Sequence, residues 1–389
     1  MFPVVAYCSV VASPLPRTPT HTPTHTHTHT HTLTRSPSLP PSFSVPRLTL
    51  YRHHTDGSIF TEGAIVVLRG QVDPRNQTRF VVTQMVMLPA EPRTKTLSAM
   101  DIVDPLDPHI RSNEFIQKHN LEVTDKNVAI IIISDCCFGN TVVCENLRTI
   151  FSNYEMQPDS ELLFVLLGPF VSKDFNSTGG RQAANAAFTA FGETLSECPR
   201  LCEHCRFLLV PSPKDAGYKA SWPRRPLPEE LVKSLRKKIK KLTLAGNPCR
   251  VQFYNQEIVF FREDMLRKMQ RHSLQLPKVG GGGGGGGGDA AATDATDSLQ
   301  GQVLDTILKQ AHLYPLPATT KPIAWELDYV MRLHPLPQIL VMADHAGQYE
   351  HSHKESGCKV INPGSFSADT SFVTYYPWNK HIDFSALNA

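Results

Sequence analysis

The sequence has no apolar run approaching the roughly 20 residues that a membrane-spanning helix needs. It also has little charge imbalance: Lys+Arg 39 against Asp+Glu 36 leaves a net charge of +3, so any nucleic-acid contact must be local. There is no P-loop and no polymerase-type carboxylate motif, which removes nucleotide-driven transfer and polymerisation from the chemistry to be considered. The apolar opening over residues 1–12 lacks the charged n-region of a signal peptide and runs into Ser13-Pro14, so secretion is not expected. Cysteine is present, with Cys136-Cys137 adjacent, but it falls in apolar or helical runs rather than in a loop-rich disulfide framework. Reduced thiols in a nuclear or cytosolic protein are expected.

The chain has 389 residues, 41% of them hydrophobic, enough for one large core and a smaller domain. Residues 1–50 are rich in Pro, Thr, Ser and His, including Thr24-His25-Thr26-His27, and are expected to be disordered. Such Thr-His alternation is also what an A–C dinucleotide repeat encodes. A glycine run makes 278–297 a flexible insertion. Residues 64–72 and 79–88 are rich in β-branched residues and flank the turn cluster Asp73-Pro74-Arg75-Asn76, so they read as antiparallel strands. A small oligonucleotide-binding (OB) barrel needs about five strands, so 51–100 reads as part of one.

From 101 to 389 apolar runs alternate with helical spacing. Residues 128–133, 162–167 and 206–210 read as buried strands; Val143, Leu147, Ile150, Phe151 and Tyr154 mark a helix, and 183–195 another. Shorter strands are expected at 250–254 and 257–261, helices at 262–272, 299–312 and 323–333, a buried strand at 339–342, and edge strands at 358–361 and 371–376. The fold class expected is α/β, α+β at its periphery, with two sheets packed together.

Chemistry in such sheets gathers beyond the carboxyl ends of the strands. The loops there read Ser134-Asp135-Cys136-Cys137, Gly168-Pro169-Phe170, Pro211-Ser212-Pro213-Lys214-Asp215 and Ala343-Asp344-His345-Ala346. Their order resembles the calcineurin-like metallophosphoesterases, whose matching loops carry Asp-x-His, Gly-Asp, Gly-Asn-His and Gly-His-x-His around two metals. Only Asp135 matches. Cys137 stands for the first histidine, Pro169 for the bridging aspartate, Lys214 for a histidine, and Asp344 and Ala346 for the last pair, with His345 one place out of register. A proline cannot ligate and a nearby lysine repels a divalent cation, so no catalytic residue, metal or cofactor is expected.

Four further strings fall in an order that resembles the B subunits of replicative DNA polymerases, in particular their epsilon branch: Ala245-Gly246-Asn247-Pro248-Cys249-Arg250-Val251, Glu257-Ile258-Val259-Phe260-Phe261-Arg262-Glu263-Asp264-Met265, His312-Leu313-Tyr314-Pro315-Leu316-Pro317 and Ile361-Asn362-Pro363-Gly364-Ser365-Phe366. The resemblance covers 65–384. It implies an inactivated calcineurin-like phosphoesterase sandwich preceded by a partial OB-type barrel. It further implies a nuclear, non-catalytic scaffold that binds the zinc-containing carboxyl-terminal region of the polymerase epsilon catalytic subunit, joins the other epsilon subunits, and meets DNA through the complex. The B subunits of delta or alpha, an active metallophosphoesterase and a free single-strand binder are the alternatives.

Weaker signals remain. Residues 229–242 place Leu231, Leu235, Ile239 and Leu242 on one helical face and Lys233, Arg236, Lys237, Lys240 and Lys241 on the others, as a solvated face or a contact for DNA or an acidic partner. Cys198, Cys202 and Cys205 with His204 contain one C-x-x-C but no second pair, so isolated thiols are expected. His312 reads as a packing or capping residue, and His351 and His353 as solvated.

Overall fold

The computed structural model describes residues 6–9, 29–32, 47–50, 58–100, 112–157, 161–217, 221–274 and 299–387. They divide into two compact units, one of Met1–Ala90 with Met265–Lys321, the other of Glu91–Asp264 with Pro322–Ala389. The division falls at residue 90 rather than near residue 100, and 265–321 groups with the first unit rather than with the rest of 101–389. The reason is local: the Ile59 amide donates to Thr306 Oγ1 (3.0 Å), Thr61 Oγ1 to the Pro315 carbonyl (2.6 Å), and Gln310 bonds both backbone groups of Ile65. The glycine-rich expectation for 278–297 lies outside the described residues. So does most of 1–50, apart from three short strands.

In the first unit Ile65–Asp73 and Asn76–Val86 form the expected antiparallel pair, flanked by Ala6–Ser9 on one side and by Arg47–Leu50 and then His29–Thr32 on the other. The described strands make an open five-stranded mixed sheet, with Arg47–Leu50 parallel to its neighbour. Phe60, Val66, Leu68, Val82 and Met85 form its core. The helix Leu299–Gln310 belongs to this unit, and beyond its end His312 Nδ1 accepts the Tyr314 amide (3.0 Å).

The second unit is a two-sheet α/β sandwich. Val128–Ser134, Glu161–Leu167, Arg206–Val210 and Lys241–Leu244 run parallel, with Ser371–Tyr376 and His381–Ala386 added antiparallel on the far side. The second sheet orders Cys249–Phe253, Gln256–Arg262, Ile339–Ala343, Lys359–Asn362 and Tyr349–Ser352. Ile130, Ile132, Val165, Leu167, Leu208 and Val210 face Ile258, Phe260, Ile339, Val341 and Ile361 across the interior. The alternate residues Ile131, Ile133, Phe164, Leu166, Phe207 and Leu209 meet the helices Thr141–Glu155, Gly180–Ser196 and Glu229–Arg236. Burial on both faces is why these strands read as continuous apolar runs.

Several boundaries differ from expectation. Lys359–Asn362 and Ser371–Tyr376 are interior strands, not edges; Val360, Ile361 and Val373 are fully buried. Arg262 ends a strand, and the helix after it is Met265–His272. The 323–333 segment is a 3₁₀ helix, Trp325–Met331. No helix among the described residues is long and apolar enough to cross a membrane.

Candidate functional site

The strands Val128–Ser134, Glu161–Leu167, Gln256–Arg262 and Ile339–Ala343 end at a common place, and a buried guanidinium lies there. Arg262 pairs with the Asp135 carboxylate, and its Nε and Nη1 donate to the carbonyls of Gly168 (2.7 Å) and Ala343 (2.8 Å). Its backbone is held too: Asn247 Oδ1 accepts the Arg262 amide (3.1 Å), while Asn247 Nδ2 donates to the carbonyls of Arg262 (2.8 Å) and Pro211 (2.9 Å). Each of the three guanidinium nitrogens thus has an acceptor, one of them charged.

Asp135 sits just past its strand with φ 61°, a left-handed conformation that aspartate tolerates better than most residues. Its other oxygen accepts from Ser365 Oγ (2.7 Å) and lies 3.5 Å from His345 Nδ1. Burial works against its ionisation, but His345, the Arg262 guanidinium and Ser365 outweigh it and hold the carboxyl at about 2. Asp344 is in the opposite condition. Burial pushes it up to about 6, against the Ala346 amide and Tyr349 hydroxyl that lower it, and nearby Asp264 adds to the rise. Its Oδ1 accepts from Asn362 Nδ2 (2.6 Å) and the Ala346 amide (2.8 Å).

That contrast fixes a pH test. A carboxyl raised from 3.8 to about 6 by folding is a liability to the folded state above about pH 6, and the liability disappears as pH falls toward 4. Asp344→Asn keeps the acceptor oxygen, so the variant is expected to gain about 1–2 kcal/mol at pH near 7.5 and almost nothing at pH near 4. Urea unfolding at the two pH values checks it.

Of the residues singled out in the sequence, the fold brings Asp135, the Gly168-Pro169 turn, Asp344 and His345 to this place. Cys137 is half-buried and its amide caps the turn at the Asp135 carbonyl (2.9 Å). Lys214 is exposed, so the cation at the site is Arg262 and not, as expected, the lysine. The buried acid of that loop is Asp215, whose carboxylate accepts the amides of Phe170 (2.8 Å) and Ser212 (2.7 Å) and ties two strand ends together. Sequence reasoning missed both Arg262 and Asp215; the available signal was a single cation ending an apolar strand, and a carboxylate after Lys214. Among the described residues no group of three His, Cys, Asp or Glu could hold a metal ion.

The basic segment differs more. The helix stops at Arg236, and Lys241–Leu244 is a strand, so Leu242 and the last two lysines are not on a helical face. Arg236 pairs with Glu229 (2.6 Å) and donates to the Leu242 carbonyl (3.1 Å), Lys240 pairs with Glu203, and Lys241 Nζ donates to the His204 carbonyl (2.9 Å). Lys233 and Lys237 are exposed. Cys198, Cys202 and Cys205 are buried in the helix-side core, where burial raises all three thiols, Cys198 to about 11. His351 and His353 are buried rather than solvated: His351 lies in a strand opposite Val360, and His353 Nδ1 meets Ser356 Oγ (2.9 Å) and its amide (3.2 Å).

The family model for the B subunit of DNA polymerase alpha/epsilon matches residues 130–351. Among similar proteins, the DNA polymerase epsilon B subunit of Arabidopsis thaliana is 35% identical over 330 residues, covering 84% of this chain and 59% of the relative. DNA polymerase epsilon subunit 2 of Homo sapiens is 29% identical over 346 residues, covering 88% and 61%. The epsilon B subunit of Saccharomyces cerevisiae is 27% identical, covering 84% and 53%. The chain thus spans less than two thirds of the length of these relatives.

Proposed function

The chain belongs to the family of DNA polymerase alpha/epsilon B subunits, and from that premise we propose that it is a non-catalytic second subunit of DNA polymerase epsilon, a scaffold for the catalytic subunit in nuclear DNA replication. The observation that carries the non-catalytic part is Arg262. A phosphoesterase of the calcineurin type needs two divalent cations at its strand ends. Here a guanidinium is buried at that place, Asp135 is its counter-ion, and Asp344 is turned to Asn362 and its own loop. We read the sandwich as a phosphoesterase fold kept for its shape, with the cation supplied by the chain itself, and the open sheet of the first unit as a partial OB-type barrel.

The epsilon assignment is supported by the strings that suggested it, because four of their residues build the site: Arg262 pairs with Asp135, Asn247 holds the Arg262 backbone, Asn362 holds Asp344, and Ser365 holds Asp135. Weak DNA contact through Lys233 and Lys237, whose neighbours are already ion-paired, belongs to the same proposal. Removing both charges should lower low-salt DNA retention only modestly, about threefold or less, since each phosphate contact contributes a small salt-dependent increment. The partner is tested by affinity purification of the chain from nuclear extract at moderate salt. Near-equal recovery of the polymerase epsilon catalytic subunit is expected, whereas recovery of the delta or alpha catalytic subunit, or of the chain alone, removes the assignment.

A further inference from the structure

At the opposite, amino-terminal ends of the parallel strands the sandwich is open. A cavity of about 670 Å³ enters between the two sheets there, bounded by the strands Lys241–Leu244 and Cys249–Phe253, which are the edges of their respective sheets. Part of its wall is apolar: Leu163, Ala245, Cys249 and Val251 pack against the inter-sheet core yet remain partly exposed within the opening. Such exposure is costly unless something covers it.

The mouth has a specific charge pattern. Strand register places Leu163 beside Arg206, and Arg206 beside Lys241. Parallel neighbours share a face, and Leu163 belongs to the face that packs against the second sheet, so two cations stand side by side on the interior face of a sandwich. Like charges in adjacent register repel. Lys241 is held by a carbonyl, a neutral partner. Of the other cations of the lining, Arg250 pairs with Glu257 while the Arg200 guanidinium donates only to the carbonyls of Glu155 and Tyr154, and Glu161 is the one acid that lines the cavity. The slot therefore offers apolar surface in its depth and an excess of positive charge at its lip.

We propose that this inter-sheet slot is a docking site for an extended acidic peptide segment of a partner protein, which lays aliphatic or aromatic side chains between the sheets and places carboxylates on Arg206 and Lys241. An extended segment is the favoured occupant because the opening is flanked by two sheet edges, where an added strand drops alternate side chains to one side. The site lies at the other end of the strands from Arg262 and does not depend on the assembly proposed above.

The test is fluorescence anisotropy of the full chain with a fluorescein-labelled peptide, acetyl-Glu-Asp-Leu-Phe-Leu-Asp-Glu-amide. Saturable binding is expected, weakened about tenfold by the exposed-residue pair R206E/K241E and by raising salt from about 0.05 to about 0.3 M. Replacing the three apolar peptide residues by serine should abolish binding, a result that leaves the protein itself untouched. The thermal midpoint of the double variant is measured alongside to show that it folds. The proposal is overturned by equal binding to R206E/K241E, by retention of the serine peptide, by absence of saturable binding, or by displacement of the peptide more readily by dodecanoate or by oligo-dT than by unlabelled peptide.

Discussion

Arg262→Met is expected to destabilise the second unit by about 3–5 kcal/mol, the range for removing one partner of a buried ion pair. Arg262 and Asp135 are 3% and 6% exposed, so neither charge has water in reserve. Deleting the guanidinium strands the carboxylate and two carbonyls, those of Gly168 and Ala343, that it bridges. All three tryptophans, Trp222, Trp325 and Trp378, lie in this unit, so urea unfolding followed by tryptophan fluorescence reports it. Adding Asp135→Asn should recover part of the loss, because asparagine keeps the left-handed turn and requires no counter-charge. The acid dependence should reverse as well. In the natural chain Asp135 contributes stability that is fully present above about pH 4 and is lost as pH falls toward 2. Without Arg262 the buried carboxyl prefers its neutral form, and the variant closes the gap as pH falls.

Gly168→Ala should be nearly as damaging, about 3 kcal/mol, from overpacking together with the loss of buried hydrogen bonds. A Cβ there would collide with the Asp215 carboxylate and come within 3.0 Å of the Ser212 amide. The carboxylate cannot step aside without releasing the amides of Phe170 and Ser212. Asp215→Ala alone leaves those two buried amides unpaired and should cost about 2–3 kcal/mol. The double variant should cost clearly less than the sum, since the collision and the lost acceptor concern the same atoms. An additive result in urea titrations would show that the glycine is needed for some other reason.

The buried strands were legible because both of their faces are covered, which leaves no polar alternation to obscure the runs at Val128–Ser134 and Arg206–Val210. Asp135 and Asp344 were legible because sheets of this kind expose chemistry at their strand ends. Arg262 was not. Its acidic partner lies 127 positions away, and their meeting depends on how the two sheets face each other, which no local pattern encodes. The segment 229–242 misled for the converse reason: Leu231, Leu235, Ile239 and Leu242 fit one helical face, but the carbonyl of Leu242 is taken by Arg236 and the chain has already turned into the sheet. The histidines at 351 and 353 look solvated in a polar stretch, yet strand pairing with Val360 and the Ser356 turn bury them.

We propose that Arg262 supplies, from the chain itself, the positive charge that metals supply at the strand ends of a phosphoesterase. It is tested most directly by titrating the full chain with manganese by calorimetry while following hydrolysis of bis-p-nitrophenyl phosphate. The account predicts no stoichiometric uptake and no turnover above buffer, both for the natural chain and for Asp344→Asn. Stoichiometric uptake with metal-dependent hydrolysis, lost on substituting Asp135, would contradict it and make the strand-end site a working metal centre.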